Sequence, residues 1–208
     1  MPSWTPTNEW DGLDVFIIGG GNSLESFDWD LLRKEMTIGC NSAFLHGAEI
    51  CKLCIFGDFK WFEKFSRELA KYKGVVFTNV PQLIKRRIPW LWTYPRKARG
   101  LHTDALGWNG NTGAAAVNLA LLLGAKRIIL LGFDMKLSKD GRPNWHNRVI
   151  QKPSANVYPK FVKQFEKVKS DLEKKFPGRE IINVTDCSEM DLFPKVGIKE
   201  FFDERKLA

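Results

Sequence analysis

The sequence predicts an α/β domain built on one doubly wound, mostly parallel Rossmann-like sheet with helices on both faces. Three observations lead there. Short apolar runs alternate with longer stretches of helical periodicity. The run RIILLG at 127–132 is apolar after its first residue, as in a central strand of a parallel sheet covered on both sides. GAAAVNLALLLG at 113–124 is apolar nearly all round, which suits a fully buried helix stopped by Gly124. A chain of 208 residues is expected to form a single domain, here residues 14–208 behind an irregular arm of residues 1–13.

Taken in order, Trp4 and Trp10 are expected to pin the arm. DVFIIGGGNSL at 14–24 reads as a strand over 15–18, three glycines, an Asn22-Ser23 pair, and a helix from about 26–30 to 34. Strand, glycine turn and helix together bring backbone N–H groups against a phosphate, because glycine has no Cβ and the helix start is electropositive. The run is neither GxGxxG nor a Walker loop, so a tight turn without a ligand is the competing reading. Strands follow at 36–40, 50–56 and 75–78, with a helix over 59–71 and a short one over 81–87 that starts at Pro81. A glycine-rich loop at 107–113 leads into the buried helix at 113–123. After the apolar strand a polar loop runs to about 156. A helix over 157–176, a strand over 180–184 and a helix over 198–206 complete the chain.

Ligands bind such sheets beyond the carboxyl ends of the strands, where strand order reverses. The candidate nucleotide-binding residues are those that the pattern places there. They are Gly19, Gly20, Gly21, Asn22 and Ser23, then Asn41, Gly57 and Asp58, then Asn111, Thr112, Gly113 and Gly132. The start of the buried helix at 110–113 is a second candidate anion site. Asp58 and Asp134, read as lying at adjacent strand ends, are a candidate Mg²⁺ pair, although no metal site is assigned. Asp28-Trp29-Asp30 matches a metal-binding triplet, but at a helix start its carboxylates cap the helix, which explains them better.

Charge is concentrated. The net charge is +8, and residues 70–102 hold no Asp or Glu but eight basic side chains; the rest of the chain is balanced. Lys85, Arg86, Arg87, Arg96, Lys97 and Arg99, interleaved with Trp90, Trp92 and Tyr94, are candidate nucleic-acid-binding residues. The competing reading is a solvated loop whose aromatics fold into the core. Exposed tryptophans at 90 and 92 would also suit a homodimer contact. Of Cys40, Cys51, Cys54 and Cys187, three fall in apolar segments, and Cys51-x-x-Cys54 has no second pair to complete a metal site. With no signal-peptide pattern and no membrane-spanning apolar run, a cytoplasmic protein is expected, with no membrane partner.

IIGGGNSL, the Cys40-Asn41 strand end and NTGAAAVNLALLLGAK running into RIILLGFDM resemble the bacterial sialyltransferases of glycosyltransferase family 42. The pterin pyrophosphokinases of the same superfamily share these motifs. Small phage-encoded proteins of this fold are closer still, through Ile182-Asn183-Val184-Thr185, Ser188 and Phe193-Pro194. The resemblance implies a nucleotide pocket over most of residues 14–194. Gly20, Gly21, Ser23 and Asn41 would line phosphate and ribose, Thr112 and Gly113 would hold phosphate, and Gly132 and Asp134 would approach the nucleotide. It also implies a general base in the loop after the Gly-x-Asp strand, where His146 is the sole histidine. A surface hydrogen-bonding role for that histidine is the alternative. Where the family has tyrosines that protonate the leaving phosphate, this chain has Lys136, with Lys139, Arg142 and Arg148 nearby. His146, Asp134 and Lys136 therefore form the candidate catalytic set.

The function expected is a nucleotide-sugar-dependent glycosyltransferase with a UDP- or CMP-linked donor. Its acceptor would be a hydroxyl, which the basic segment and the phage likeness extend to a modified base in DNA, in a host cytoplasm. A phosphotransferase or pyrophosphokinase using ATP and Mg²⁺ is one alternative. A non-catalytic nucleotide-binding phage protein is another.

Overall fold

The computed structural model describes residues 4–146, 148 and 154–207. Among the described residues ten strands are formed: β1 Asp14–Ile18, β2 Met36–Cys40, β3 Leu53–Phe56, β4 Val75–Thr78, β5 Leu91–Thr93, β6 Arg96–Lys97, β7 Leu106–Gly107, β8 Arg127–Leu131, β9 Glu180–Val184 and β10 Lys195–Val196. Five α-helices accompany them: α1 Phe59–Leu69, α2 Pro81–Ile84, α3 Thr112–Leu122, α4 Val157–Lys175 and α5 Ile198–Leu207. Eight strands make one sheet in the order β10-β9-β8-β1-β2-β3-β4-β5, and every neighbouring pair is parallel. The chain steps outward from β1 to β5, then returns to β8 on the other side of β1. Strand order thus reverses between β1 and β8, as a doubly wound sheet requires.

Alternation along each strand divides the core. Val15, Ile17, Ile38, Ile55 and Leu130 pack on one face with α3 and with Phe165 and Val168 of α4. Phe16, Ile18, Phe56, Ile129 and Leu131 pack on the other, with Phe62 and Phe65 of α1 and Phe201 and Phe202 of α5. All eleven residues of α3 are buried. Its fully buried polar residue, Asn118, is satisfied: Oδ1 accepts from the backbone N–H groups of His102 (2.9 Å) and Gly107 (3.0 Å), and Nδ2 donates to the His102 carbonyl (2.8 Å).

Several local expectations are corrected. The stretch expected as a helix over 26–34 forms 3₁₀ turns at Asn22–Leu24 and Trp29–Leu32, with i→i+3 bonds such as Leu31 N–H to Asp28 O. The Asp28 carboxylate caps the second turn by accepting from the Asp30 N–H, in line with the capping reading of that triplet. The strand expected over 50–56 is confined to β3, and the helix over 81–87 to α2. Strands β5, β6, β7 and β10 were not expected. Each is two or three residues long and owes its extended form to its sheet partner. Trp4 does pin the arm, edge-on to Phe77 and Tyr94 with centroids 5.3 and 5.1 Å apart, and the Trp10 N–H reaches the Leu123 carbonyl at 2.7 Å. Cys40, Cys51 and Cys54 are buried free thiols, and burial pushes Cys51 up to about 11. No helix among the described residues is long and apolar enough to cross a membrane.

Candidate functional site

The carboxyl ends of β1, β2, β3 and β8 open into a cavity of about 920 Å³. It is lined by Gly19, Gly20, Gly21, Asn41, Gly57, Asp58, Asn111, Thr112, Gly113, Gly132, Asp134, Lys136 and His146, all residues the sequence pointed to. Asn22 and Ser23 do not line it. Arg96, expected on a nucleic-acid face, does.

The glycine turn serves the sheet as much as the cavity. The N–H groups of Gly19 and Gly21 donate to the carbonyls of Leu131 (2.7 Å) and Gly132 (2.8 Å). A Cβ on Gly19 would stand 2.6 Å from the Gly132 oxygen, so the glycines are needed for close approach to the end of β8. The expectation that consecutive N–H groups here face a phosphate is corrected on this point, since those two are already bonded. Gly132 itself has φ +69°, which only glycine adopts without strain.

Asp134 is the link between the two strand ends. The residue is 3% exposed, and its carboxylate accepts from the Ser23 N–H (2.8 Å) and the Ser23 hydroxyl (2.5 Å). Ser23 therefore holds Asp134 rather than a ligand. Asn22 turns away in the same manner, its Nδ2 donating to the Arg142 carbonyl at 2.9 Å. At the α3 start, the Asn111 side chain accepts from the N–H groups of Gly113 (2.7 Å) and Ala114 (3.2 Å), so this end is capped from within. Asn41 and Met135, both in the cavity wall, have φ of +52° and +55°. Left-handed backbone in side-chain-bearing residues is held there by its surroundings and gathers at functional sites.

The metal expectation does not fit the residues. Asp58 and Asp134 follow β3 and β8, which are separated by β1 and β2, so about 14 Å of sheet width lies between the strands. Asp58 caps α1 by accepting from the Trp61 N–H at 3.0 Å. No three His, Cys, Asp or Glu side chains among the described residues gather as a metal site.

His146 stands at the cavity wall in a loop folded over the glycine turn. The Trp145 N–H donates to the Gly20 carbonyl (3.0 Å), and the Trp145 indole N–H to the Gly19 carbonyl (3.1 Å). Behind it, Trp29 stacks on His46 with centroids 3.6 Å apart, and Trp145 lies 4.6 Å from His46. Burial first, then the nearby Arg148 and His46, lowers the His146 pKa to about 4, so the imidazole is neutral at pH 7. Its Nδ1 accepts the Arg148 N–H at 3.2 Å, which puts the ring proton on Nε2. Lys136 pairs with Glu189 at 3.2 Å, and Arg142 is held by Glu25 and Asp140 outside the cavity.

Pattern reading missed several wall residues. Trp108, Phe59, Trp61 and Phe161 supply aromatic surface, Lys60 and Gln82 polar groups, and Tyr158 a phenol. Burial raises the Tyr158 pKa, so it stays protonated. Tyr158 opens α4 after the long polar loop, and helical periodicity shows it as an ordinary helix-face residue.

The basic segment divides in two. Lys85, Arg86, Arg87 and Arg99 are exposed, with Arg86 lying 5.0 Å over the Phe59 ring at the cavity rim. Lys97 pairs with Asp104 at 2.7 Å. Trp90, Trp92 and Tyr94 are half-buried and packed against the core, so the folded-in reading of these aromatics holds. The exposed tryptophans invoked for a dimer contact are not exposed.

No family model matches the chain, and no curated protein matches it in sequence. Among solved structures it is similar to the MAf glycosyltransferase from Magnetospirillum magneticum AMB-1, at 12% identity with a TM-score of 0.62. The likeness covers 100% of this chain but 37% of that one, so the chain spans little more than a third of the length of its structural neighbour. At this identity the shared property is the fold alone, an α/β architecture on a parallel sheet.

Proposed function

We propose that the cavity binds a UDP- or CMP-linked sugar and that the protein transfers the sugar to an acceptor hydroxyl. The observation that carries this reading is the convergence of thirteen expected residues, from four strand ends, the start of α3 and the loop after β8, on one cavity at the reversal of strand order. The likeness in fold to a glycosyltransferase supports the same chemistry. The donor lies across the glycine turn and the start of α3, with ribose near Asn41. The C–O bond from the sugar to the leaving phosphate breaks as the acceptor oxygen bonds to that carbon. The acceptor proton passes to His146, whose Nδ1 lone pair becomes available when the Arg148 N–H contact gives way. Tyr158 and Lys136 face the leaving phosphate, the phenol donating a proton and the ammonium a positive charge. Asp134 is assigned a positioning role through Ser23.

The exposed basic rim at 85–99 favours a polyanionic acceptor, and we read it as a hydroxylated base in DNA, modified in the host cytoplasm by a phage-encoded enzyme. The test is a thermal-shift panel of UDP-, CMP- and GDP-sugars with ATP and GTP, followed by release of free nucleotide with and without hydroxymethylated DNA. Stabilisation by ATP with Mg²⁺ and turnover that survives His146→Ala would instead support phosphoryl transfer. Binding with no turnover would support a nucleotide-sequestering protein.

A further inference from the structure

One corner of the cavity holds a cation with no anion in direct contact. Arg96 opens β6, and its guanidinium lies 4.2 Å from the Trp108 ring centroid. Its Nη2 donates to the Gly57 carbonyl (2.5 Å) and to Asn79 Oδ1 (3.1 Å), both neutral acceptors. Its Nε is buried with no partner, and so is the Nδ2 of fully buried Asn79. Among the described residues no carboxylate pairs with Arg96. Asp58 acts on it through space without direct contact, its Oδ1 accepting from the Trp61 N–H at the start of α1. Burial lowers the pKa of the guanidinium, a sign of incomplete solvation. A half-buried charge with vacant donors is costly unless something supplies the missing partner.

The corner is also rigid. Gly57 leaves room for the Trp108 ring, which a Cβ there would strike. The loop carrying Trp108 is tied down by Asn109, whose side chain bonds Gly100 and Gly107, by Asn118, and by Asp171, which accepts from the Leu101 N–H at 2.9 Å. Those three residues are at most 2% exposed. A buried polar frame of this kind orients a side chain before any ligand arrives.

We propose that Arg96 and Trp108 form a second anion subsite, which takes a carboxylate or phosphate of the substrate about 10 Å, two strand spacings, from the group held at the glycine turn. A nucleobase is neutral and would leave the guanidinium uncompensated. An oxyanion supplies the charge that it lacks. The subsite rests on the reading of the cavity as the substrate site. The oxyanion has two sources, an acidic sugar on the donor or a phosphate of the acceptor.

The test uses protein carrying ¹⁵N-arginine, with the Arg96 Nε–H resonance identified by its loss in Arg96→Lys. Inorganic phosphate is expected to shift that resonance to saturation and to raise Tm. The rise should vanish in Arg96→Gln and return in part in Arg96→Lys. UDP-glucose and UDP-glucuronate separate the sources. A donor carboxylate predicts UDP-glucuronate binding at least tenfold weaker in Arg96→Gln with UDP-glucose changed less than twofold. An acceptor phosphate predicts the phosphate response with both nucleotide sugars unchanged. Trp108→Phe keeps the packing and should weaken the phosphate response without abolishing the fold. The proposal is overturned if neither phosphate nor UDP-glucuronate shifts Arg96, or if phosphate stabilises Arg96→Gln as it does the parent. If nucleotide sugars fail to bind while phosphate still shifts Arg96, the glycosyl-transfer reading falls and the subsite stands. If they bind while Arg96 stays silent, the reverse holds.

Discussion

Replacing Asp134 by alanine removes the tie between the glycine turn and the end of β8. The carboxylate is almost fully buried and accepts two bonds from one residue, Ser23, at 2.8 Å from the backbone N–H and 2.5 Å from the hydroxyl. Charge-assisted bonds of this kind contribute roughly 1.5–3 kcal/mol each, and truncation also strands a backbone donor that water reaches poorly. Asp134→Ala should therefore cost about 3–5 kcal/mol, or about 10 °C in Tm for a chain of this length. Ser23→Ala removes the hydroxyl alone and should cost about 1–2 kcal/mol. In the double variant the two costs should fall short of additivity by about 1 kcal/mol or more, because the pair is in direct contact. Gly21→Ala should behave like Asp134→Ala, since a Cβ there would stand 2.5 Å from the Asp134 carboxyl carbon. Urea midpoints for the parent and the four variants measure all of this. An Asp134→Ala protein within 1 kcal/mol of the parent, or strict additivity with Ser23→Ala, would refute the reasoning.

Other consequences are independent. Asn118→Leu strands the His102 and Gly107 donors inside the core and should cost about 3 kcal/mol by urea denaturation. His146 has a folded pKa of about 4, below the unfolded value near 6.5, so the unfolded chain binds the extra proton between those values. Its contribution to stability is full above pH 6.5 and is lost as pH falls toward 4. Allowing for partial solvent access, the loss between pH 7 and 5 should be about 1 kcal/mol larger in the parent than in His146→Gln, read from urea midpoints at both values. Changing Lys85, Arg86, Arg87 and Arg99 together to Gln should lower duplex DNA affinity at least tenfold at low salt and flatten its salt dependence, measured by fluorescence anisotropy.

Much of the fold was legible because its central elements declare themselves locally. The β8 run, the β1 run and the largely apolar α3 are hydrophobic for reasons that any packing partner satisfies. The edge elements are not of that kind. Leu91–Thr93 and Lys195–Val196 are extended only because a neighbouring strand offers them hydrogen bonds. The site was legible to the extent that strand ends bring small and polar residues to one edge. What escaped were pairings across long separations. Ser23 looks like a phosphate ligand until Asp134, 111 residues away, is seen to hold it. Arg96 looks like one more surface cation in a basic run until Trp108 and Gly57 are seen to draw it into the cavity. The Asp58 and Asp134 pair failed for the opposite reason, since strand order in space is not the order in the chain.

The most direct test of the central claim is calorimetric titration of the parent protein and of His146→Ala with UDP- and CMP-sugars, followed by nucleotide release from the same samples. The account predicts that one of these nucleotide sugars binds both proteins with affinities within about threefold, and that release falls at least a hundredfold in His146→Ala, the scale on which a general base acts. No binding of any nucleotide sugar, or equal release from the two proteins, would contradict it.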